Sequence, residues 1–380
     1  MKEPVNSNRE TSINPELAKA HTLPSSYYLD AEILEREKRA IFWKTWQVVG
    51  YREQVMKPGD YFTFDLTGEP LLIVRETNGR LRGFYNVCRH RAGPPAEGCG
   101  SRKVFRCGYH GWTYDLDGRL LNAPEMQGVC DFRPEDFSLR PVQVAEWGGL
   151  VFVNLDGQAE SLASWLGELP RQTEKFGLER LRFFRQKDYV MECNWKVYID
   201  NYMEGYHLPS VHPGLNRELD YSAYEMTLYD HYSLQTSPIR SPENEDTAIR
   251  RYKRRDGDMA AEYYWIYPNW MLNCYPDNMS LNIVLPIGHQ KCVAMFLWFF
   301  EESRLNTDIP ETTYNFSDEI QSEDGHICEV VQKNLRSQSY DRGRYSVKQE
   351  KSLHHFHRMY LQRMAGADHC ATTRSGCSPV

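Results

Sequence analysis

The chain has no long hydrophobic run. Its longest apolar stretch, CVAMFLWFF (Cys292–Phe300), is far short of the roughly 20 apolar residues a membrane-spanning helix needs. No membrane association is expected. A broad basic footprint is missing as well: 45 Lys and Arg stand against 52 Asp and Glu, for a net charge of −7. The single basic cluster, RRYKRR (Arg250–Arg255), reads as a solvated face or loop. Nucleic-acid partners, which need basic surfaces, are therefore not expected. The opening residues, MKEPVNSNRETS, lack the apolar core of a signal peptide and are too acidic for a transit peptide. The expected setting is a reducing cytoplasm. There the ten cysteines read as metal ligands or buried thiols rather than as a disulfide framework. Internal repeats and extended low-complexity segments are also lacking.

What is present is an ordinary globular composition, 41% hydrophobic and 26% charged, over 380 residues. That length supports two domains with sizeable cores. Apolar residues at helical spacing predict a helix over Leu29–Trp46. Short alternating runs follow, with turns at Leu66–Pro70 and at Asn78–Arg80, where Asn-Gly marks a hairpin. To about Leu155 the chain reads as all-β. A helical stretch is expected over Ser161–Leu181, with Trp165, Leu166, Leu169, Phe176 and Leu181 as its apolar face. Beyond Arg182, strand-like runs (YYWIYPNWMLNCY, MSLNIVLPIG, KCVAMFLWFFEE) mix with a long helix pattern, PETTYNFSDEIQSEDGHICEVVQKNLRS. The fold class is α+β. The small, polar tail ADHCATTRSGCSPV is expected to fray.

The β-rich region carries two mixed pairs: Cys88-x-His90, then, sixteen residues on, Cys107-x-x-His110. Thiolates and imidazoles in short loops are what a metal site requires. A zinc finger would usually pair Cys with Cys and His with His, the second pair on a helix. Mixed pairs in glycine-rich loops suit a Rieske [2Fe–2S] cluster, in which one iron takes two Cys and the other two His. Zinc remains the rival on spacing alone.

A second constellation lies in DNYMEGYHLPSVHPG (Asp200–Gly214). The segment Cys193–Pro209 reads as a helix on which Asn201, Glu204 and His207 share one stripe. Pro209 should end it, leaving His212 on the following turn. Two His and one carboxylate form the facial triad of non-haem Fe(II) oxygenases. Glu204 is the nearby carboxylate, but an acid and a His three residues apart compete for the same approach to one metal. The alternative is Asp324, which falls in register with the core face Ile320, Ile327, Cys328, Val331 and Leu335 of the long helix, while Glu323 and Asp318 point away. A buried carboxylate needs compensation. An iron would supply it, and so would Tyr or backbone donors; helix geometry leaves both open.

With these motifs in hand, the chain resembles the α subunits of Rieske non-haem iron oxygenases over nearly its whole length. The resemblance implies a Rieske domain of antiparallel sheets and a catalytic domain with a large antiparallel sheet flanked by helices, of helix-grip type. It places an N-terminal helical segment at 1–46, the Rieske domain at 47–156 and the catalytic domain at 157–380. The implied cluster ligands are Cys88, His90, Cys107 and His110; the implied mononuclear iron ligands are His207, His212 and Asp324. O2 is the implied co-substrate, and electrons come from NAD(P)H through a separate reductase carrying flavin and its own iron–sulfur cluster. A homotrimer is implied, with Glu204 bridging His110 of one subunit to His207 of the next, and Asn201 orienting the site. Glu at the bridge, where ring dioxygenases commonly have Asp, is shared with the choline, carnitine and betaine oxygenases. The segment GRYSVKQEKSLHHFHRMYLQRM also looks like the end of choline-monooxygenase-type chains.

The expected substrate is accordingly a small quaternary ammonium compound, oxidised by C-hydroxylation or N-demethylation. Methylammonium groups favour aromatic cages. The candidate walls are Tyr202 and Tyr206, with Tyr263, Trp265 and Tyr267 on one face of a strand. Two rivals stand beside this reading: hydroxylation of a neutral aromatic ring, and a Rieske electron carrier joined to a ligand-binding module.

Overall fold

A computed structural model describes residues 12–239 and 260–374, with side chains to residue 366. The basic run Arg250–Arg255 lies outside the described residues, as does the end of the tail. The chain divides into two compact units, Phe42–Glu179 and Met1–Ile41 with Arg180–Val380.

Phe42–Glu179 is built on ten strands: β1 (Gln47–Tyr51), β2 (Asp60–Leu66), β3 (Glu69–Arg75), β4 (Leu81–Tyr85), β5 (Cys99–Ser101), β6 (Phe105–Arg106), β7 (Thr113–Tyr114), β8 (Leu120–Asn122), β9 (Pro141–Trp147) and β10 (Leu150–Asn154). Seven pair antiparallel in the order β1-β10-β9-β4-β3-β2-β5, and β6-β7-β8 form a separate small sheet. Local chemistry sets both turns anticipated from sequence. At β2–β3, Asp65 Oδ1 accepts from Gly68 N at 2.8 Å while Gly68 takes φ +98°. After β3, Asn78 Oδ1 accepts from Arg80 N at 2.8 Å across Gly79, φ +82°. Both glycines occupy the left-handed region without a Cβ penalty. One Cys/His loop joins β4 to β5; the other joins β6 to β7.

Residues 157–179 group with this unit, although the expected boundary placed them with the second domain. Trp46 Nε1 donates to Glu160 O at 3.0 Å, and Leu178 packs beside Gly148. The expected helix over Ser161–Leu181 is several short turns, because Gly167 and Gly177 adopt φ of +53° and +61°. Leu181 already begins a strand.

Among the described residues, the other unit holds a second antiparallel sheet of seven: β11 (Leu181–Met191), β12 (Glu225–Leu228), β13 (Tyr232–Pro238), β14 (Ala260–Ile266), β15 (Trp270–Cys274), β16 (Asn278–Gly288) and β17 (Lys291–Glu301), in the order β11-β17-β16-β15-β14-β13-β12. The expected single strand YYWIYPNWMLNCY is in fact the hairpin β14–β15. Pro268, with no N–H to give a ladder, sits in its turn. The helix Trp195–Tyr202 packs on β16 and on the long helix Ile309–Asn334, which also contacts β11. The helix Ala31–Glu37, capped by Asp30, and the C-terminal helix Lys351–Arg374 pack together. That last helix runs into the tail that was expected to fray. This is the α+β architecture anticipated: a β-domain, then a large antiparallel sheet with helices packed on it. No helix among the described residues is long and apolar enough to cross a membrane.

Candidate active site

The helix beginning at Trp195 is started by Asn194, whose side chain accepts from Lys196 N at 3.0 Å. It stops at Tyr202, earlier than expected, so Glu204 and His207 do not share a continuous helical stripe. Gly205, just beyond the end, is packed so tightly that a Cβ there would meet the Tyr224 ring at 2.8 Å. The chain reverses over Glu204–Tyr206, with Glu204 Oε2 accepting from His207 N at 3.1 Å. His207 then caps a short helix, Leu208–Val211, in which Pro209 occupies the first turn, where its missing N–H costs nothing. His212 follows as the C-cap.

This local path, with the long helix, brings three side chains together. His207, His212 and Asp324 have ligand atoms all within 4.8 Å of one another, and no other His, Cys, Asp or Glu trio among the described residues converges so closely. Asp324 Oδ1 lies 2.9 Å from His212 Nε2 and 3.7 Å from His207 Nε2. Both Nε2 atoms therefore face one carboxylate. The opposite nitrogens are held by other acids: His207 Nδ1 by Glu204 Oε1 at 2.7 Å, and His212 Nδ1 by Glu323 Oε2 at 2.6 Å. Metal-binding imidazoles are commonly oriented this way, by a carboxylate on the nitrogen that does not bind.

Glu204 thus lies on the far side of His207 from Asp324. The expectation that Glu323 points away is corrected, since its longer side chain reaches His212 although its own helix face is half-exposed. Asp318 does point elsewhere, to Tyr189 Oη at 2.6 Å and to Lys187. Val331, expected in the core, is exposed. Burial lowers the pKa of His212, but the hydrogen bonds and charges of Asp324 and Glu323 outweigh it, and the net shift is upward. Two acids around one imidazole attract a proton when no metal is bound; a divalent cation satisfies the same charges.

Asn201, Glu204, His207, His212 and Asp324 line a cavity of about 100 Å³. Of the five aromatic residues anticipated as its walls, Tyr202 and Tyr263 line it. Tyr206 is exposed, and Trp265 and Tyr267 are fully buried elsewhere. Strand alternation had put Trp265 on the face of Tyr263, but Phe356 of the C-terminal helix packs against Trp265, its ring centroid 5.3 Å away. Tyr267 lies past the end of β14, in the turn. The walls missed from sequence are Tyr224, Tyr275, Phe296 and Trp298, with Asn273 and Asn282 supplying amides. Phe296 and Trp298 could have been picked out by their i, i+2 spacing in KCVAMFLWFFEE. The others come from turns and from strands whose pairing no local pattern reveals. Hydrogen bonds hold these walls: Tyr202 Oη donates to Asn273 Oδ1 at 2.7 Å, Tyr224 Oη to Gln235 Oε1 at 2.8 Å, and Tyr263 and Tyr275 hydroxyls meet at 3.1 Å. Burial drives the Tyr202 and Tyr224 pKa values up, with neighbouring tyrosines or Glu204 adding to it, so both stay neutral phenols.

In the β-unit, Cys88 and Cys107 are buried and His90 and His110 exposed. Cys88 Sγ contacts Tyr114 Oη at 3.2 Å, and a Cβ on Gly93 would meet Cys107 Sγ at 2.9 Å. The two imidazoles stand with ring centroids 4.6 Å apart, His90 stacked on Trp112 at 5.0 Å. Burial, with His110 and Arg91 nearby, lowers the His90 pKa and favours the neutral imidazole that ligates metal. The four do not converge as a single zinc would demand. Two buried sulfurs below two exposed imidazoles fit a binuclear cluster whose His-bearing iron faces outward.

Both halves match known families: the Rieske [2Fe–2S] domain over residues 45–133, and the catalytic domain of the ring-hydroxylating α subunit over residues 178–366. The chain belongs to the Rieske non-haem iron oxygenase α subunits. Within them it is similar to choline monooxygenase, chloroplastic, of Arabidopsis thaliana, 36% identical over 90% of this chain and 82% of that one. It is 30% identical to the carnitine monooxygenase oxygenase subunit of Escherichia coli (strain K12), over 92% and 95% of the two chains. A quaternary ammonium Rieske monooxygenase, solved with a view to carnitine oxidation and inter-subunit electron transfer, superposes with a TM-score of 0.83 at 28% identity, over 93% of this chain and 97% of that one. The cofactors are those of the family: a Rieske [2Fe–2S] cluster and a mononuclear iron, with O2 as co-substrate and electrons from NAD(P)H by way of a separate reductase.

Proposed function

We propose that this chain is the oxygenase subunit of a monooxygenase acting on a small quaternary ammonium compound of choline, betaine or carnitine type. The observation that carries this is the cavity beside His207, His212 and Asp324, walled by Tyr202, Tyr263, Tyr275, Phe296 and Trp298. Each ring face attracts a methylammonium cation by roughly 0.5–2 kcal/mol, depending on desolvation. Several rings around a cavity this small act on one cation together. The Asn273 and Asn282 amides offer polar contacts to the hydroxyl or carboxylate that choline and carnitine carry. Named activities of the relatives point the same way.

In this reading His207, His212 and Asp324 hold the mononuclear iron, and Cys88, His90, Cys107 and His110 hold the cluster. The iron, when bound, supplies O2 activation. The chain's own residues orient its ligands, exclude water and present the substrate C–H bond. Glu204, on Nδ1 of His207, links that ligand to His110 of the partner subunit in a homotrimer, and Asn201 lines the same wall. The domain boundaries follow the two compact units, near residues 42 and 180. Substrate-dependent O2 uptake with reductase, over a panel of choline, betaine, carnitine and simple aromatics, tests the substrate. Turnover of the ammonium compounds is expected. If aromatics alone are oxidised, the rings form an apolar slot and the ammonium reading is wrong.

A further inference from the structure

A second cavity, of about 290 Å³, adjoins the first. Asn201, Glu204 and His207 line both, so they form the wall between them. Among the titratable groups around the second cavity that the metal site does not use are Tyr28, Asp200, Glu350 and His357. Two of them, His357 and Glu350, come from the C-terminal segment singled out in the sequence.

Most of these groups are joined. His357 is 1% exposed and engages both ring nitrogens, Nε2 with Asp200 Oδ1 at 3.0 Å and Nδ1 with Tyr345 Oη at 2.7 Å. Tyr28 Oη donates to Asp200 Oδ2 at 2.6 Å and lies 3.3 Å from His357 Nε2. The result is a phenol–imidazole–carboxylate–phenol chain, buried at one end and opening on a cavity at Asp200, whose side chain is 22% exposed. Lys196 stands near Asp200, and Arg358 and His354 flank His357 along its helix. Burial raises the pKa of Glu350, the Ser346 amide opposes it, and the negative charges of Glu204 and Asp200 add to the rise. An acid that keeps its proton more readily than usual therefore shares the cavity. Imidazole and carboxylate in hydrogen-bond contact are the side chains best suited to hold and release protons near neutral pH.

Hydroxylation consumes protons: R–H + O2 + two electrons + two protons gives R–OH + H2O. The reductase provides the electrons, and the protons must come from solvent. We propose that Asp200 and His357 are a proton relay, delivering solvent protons through the second cavity to its boundary with the cavity where O2 is reduced. Each proton given up by the pair is replaced from solvent on the Glu350 side. The relay depends on the family's chemistry and not on which substrate is oxidised.

The test uses reduced holoenzyme in single turnover with whichever panel compound supports O2 uptake by the unaltered protein. Failure of the ammonium reading then shows in the unaltered protein, and failure of the relay only in variants. Asp200→Asn and His357→Gln should retain both iron centres, slow cluster reoxidation more than tenfold and enlarge its solvent deuterium isotope effect. Added imidazole, a small diffusible proton donor, should restore part of the rate. Tyr345→Phe, which removes one hydroxyl, serves if His357→Gln does not fold, and should enlarge the isotope effect. An unchanged rate and isotope effect would overturn the proposal. So would a loss of rate that tracks loss of iron, or one that imidazole does not relieve.

Discussion

Asp324 and Glu323 are neighbours in sequence with different work: one faces both Nε2 atoms, the other holds Nδ1 of His212 from outside. Removing them should separate the two effects. Asp324→Ala should lose the mononuclear iron while the visible Rieske spectrum persists, as iron analysis beside absorption spectra would show. Glu323→Ala should keep a site but weaken it about 10–100-fold, the usual cost of removing the partner of a ligating His, read from iron titration of the apoprotein. Glu204→Gln, which leaves the His207 contact sterically intact, should retain both metal centres and slow electron transfer between them. Loss of mononuclear iron in that variant would mean that Glu204, not Asp324, completes the ligand set. Sequence spacing was enough to single out His207 and His212 and to raise Asp324 as a candidate. It could not find Glu323, because a side chain on a half-exposed helix face gives no sign of what it reaches.

At the scale of elements, the site depends on the helix Trp195–Tyr202 being held firmly against its neighbours. Its second residue, Lys196, is fully buried and forms an ion pair with the equally buried Glu37, which also accepts from Trp195 Nε1 at 2.7 Å and Tyr360 Oη at 2.6 Å. The rings of Trp195, Tyr360 and Tyr28 lie 5.2, 5.4 and 5.5 Å from the Lys196 ammonium. Burial lowers the Lys196 pKa, while Glu37 acts against that. One carboxylate thus ties the N-terminal helix, the site helix and the C-terminal helix together. Glu37→Ala would leave a buried ammonium unpaired and should destabilise the fold by about 3–5 kcal/mol, measurable as a lower denaturation midpoint. Periodicity foresaw the long helix and the strands. It ran the site helix on to Pro209, past its end at Tyr202, because the Glu204 contact with the His207 amide and the close packing at Gly205 do not show in residue spacing.

For the whole molecule, the decisive question is where electrons cross from cluster to iron. Two inactive variants answer it: Cys107→Ser, lacking the cluster, and Asp324→Ala, lacking the mononuclear iron. Transfer between subunits predicts that mixed assemblies, formed by co-expression, regain substrate-dependent O2 uptake. Recovery absent in verified mixed assemblies would place transfer within one chain.

The sequence by itself determined the chemistry: paired Cys and His at binuclear spacing, two further His with distant acids, and turn residues that make the first half all-β. These depend on residue type and short separations, which the backbone enforces locally. Only the tertiary structure decided which of the aromatic residues line the cavity, since Tyr263 lines it while Trp265, two positions on, is covered by a helix from the far end of the chain. It also decided that Glu204 and Asp324 approach opposite nitrogens of His207. Contacts between elements far apart in sequence depend on how sheets and helices pack, and nothing in a local stretch such as DNYMEGYHLPSVHPG encodes what packs against it.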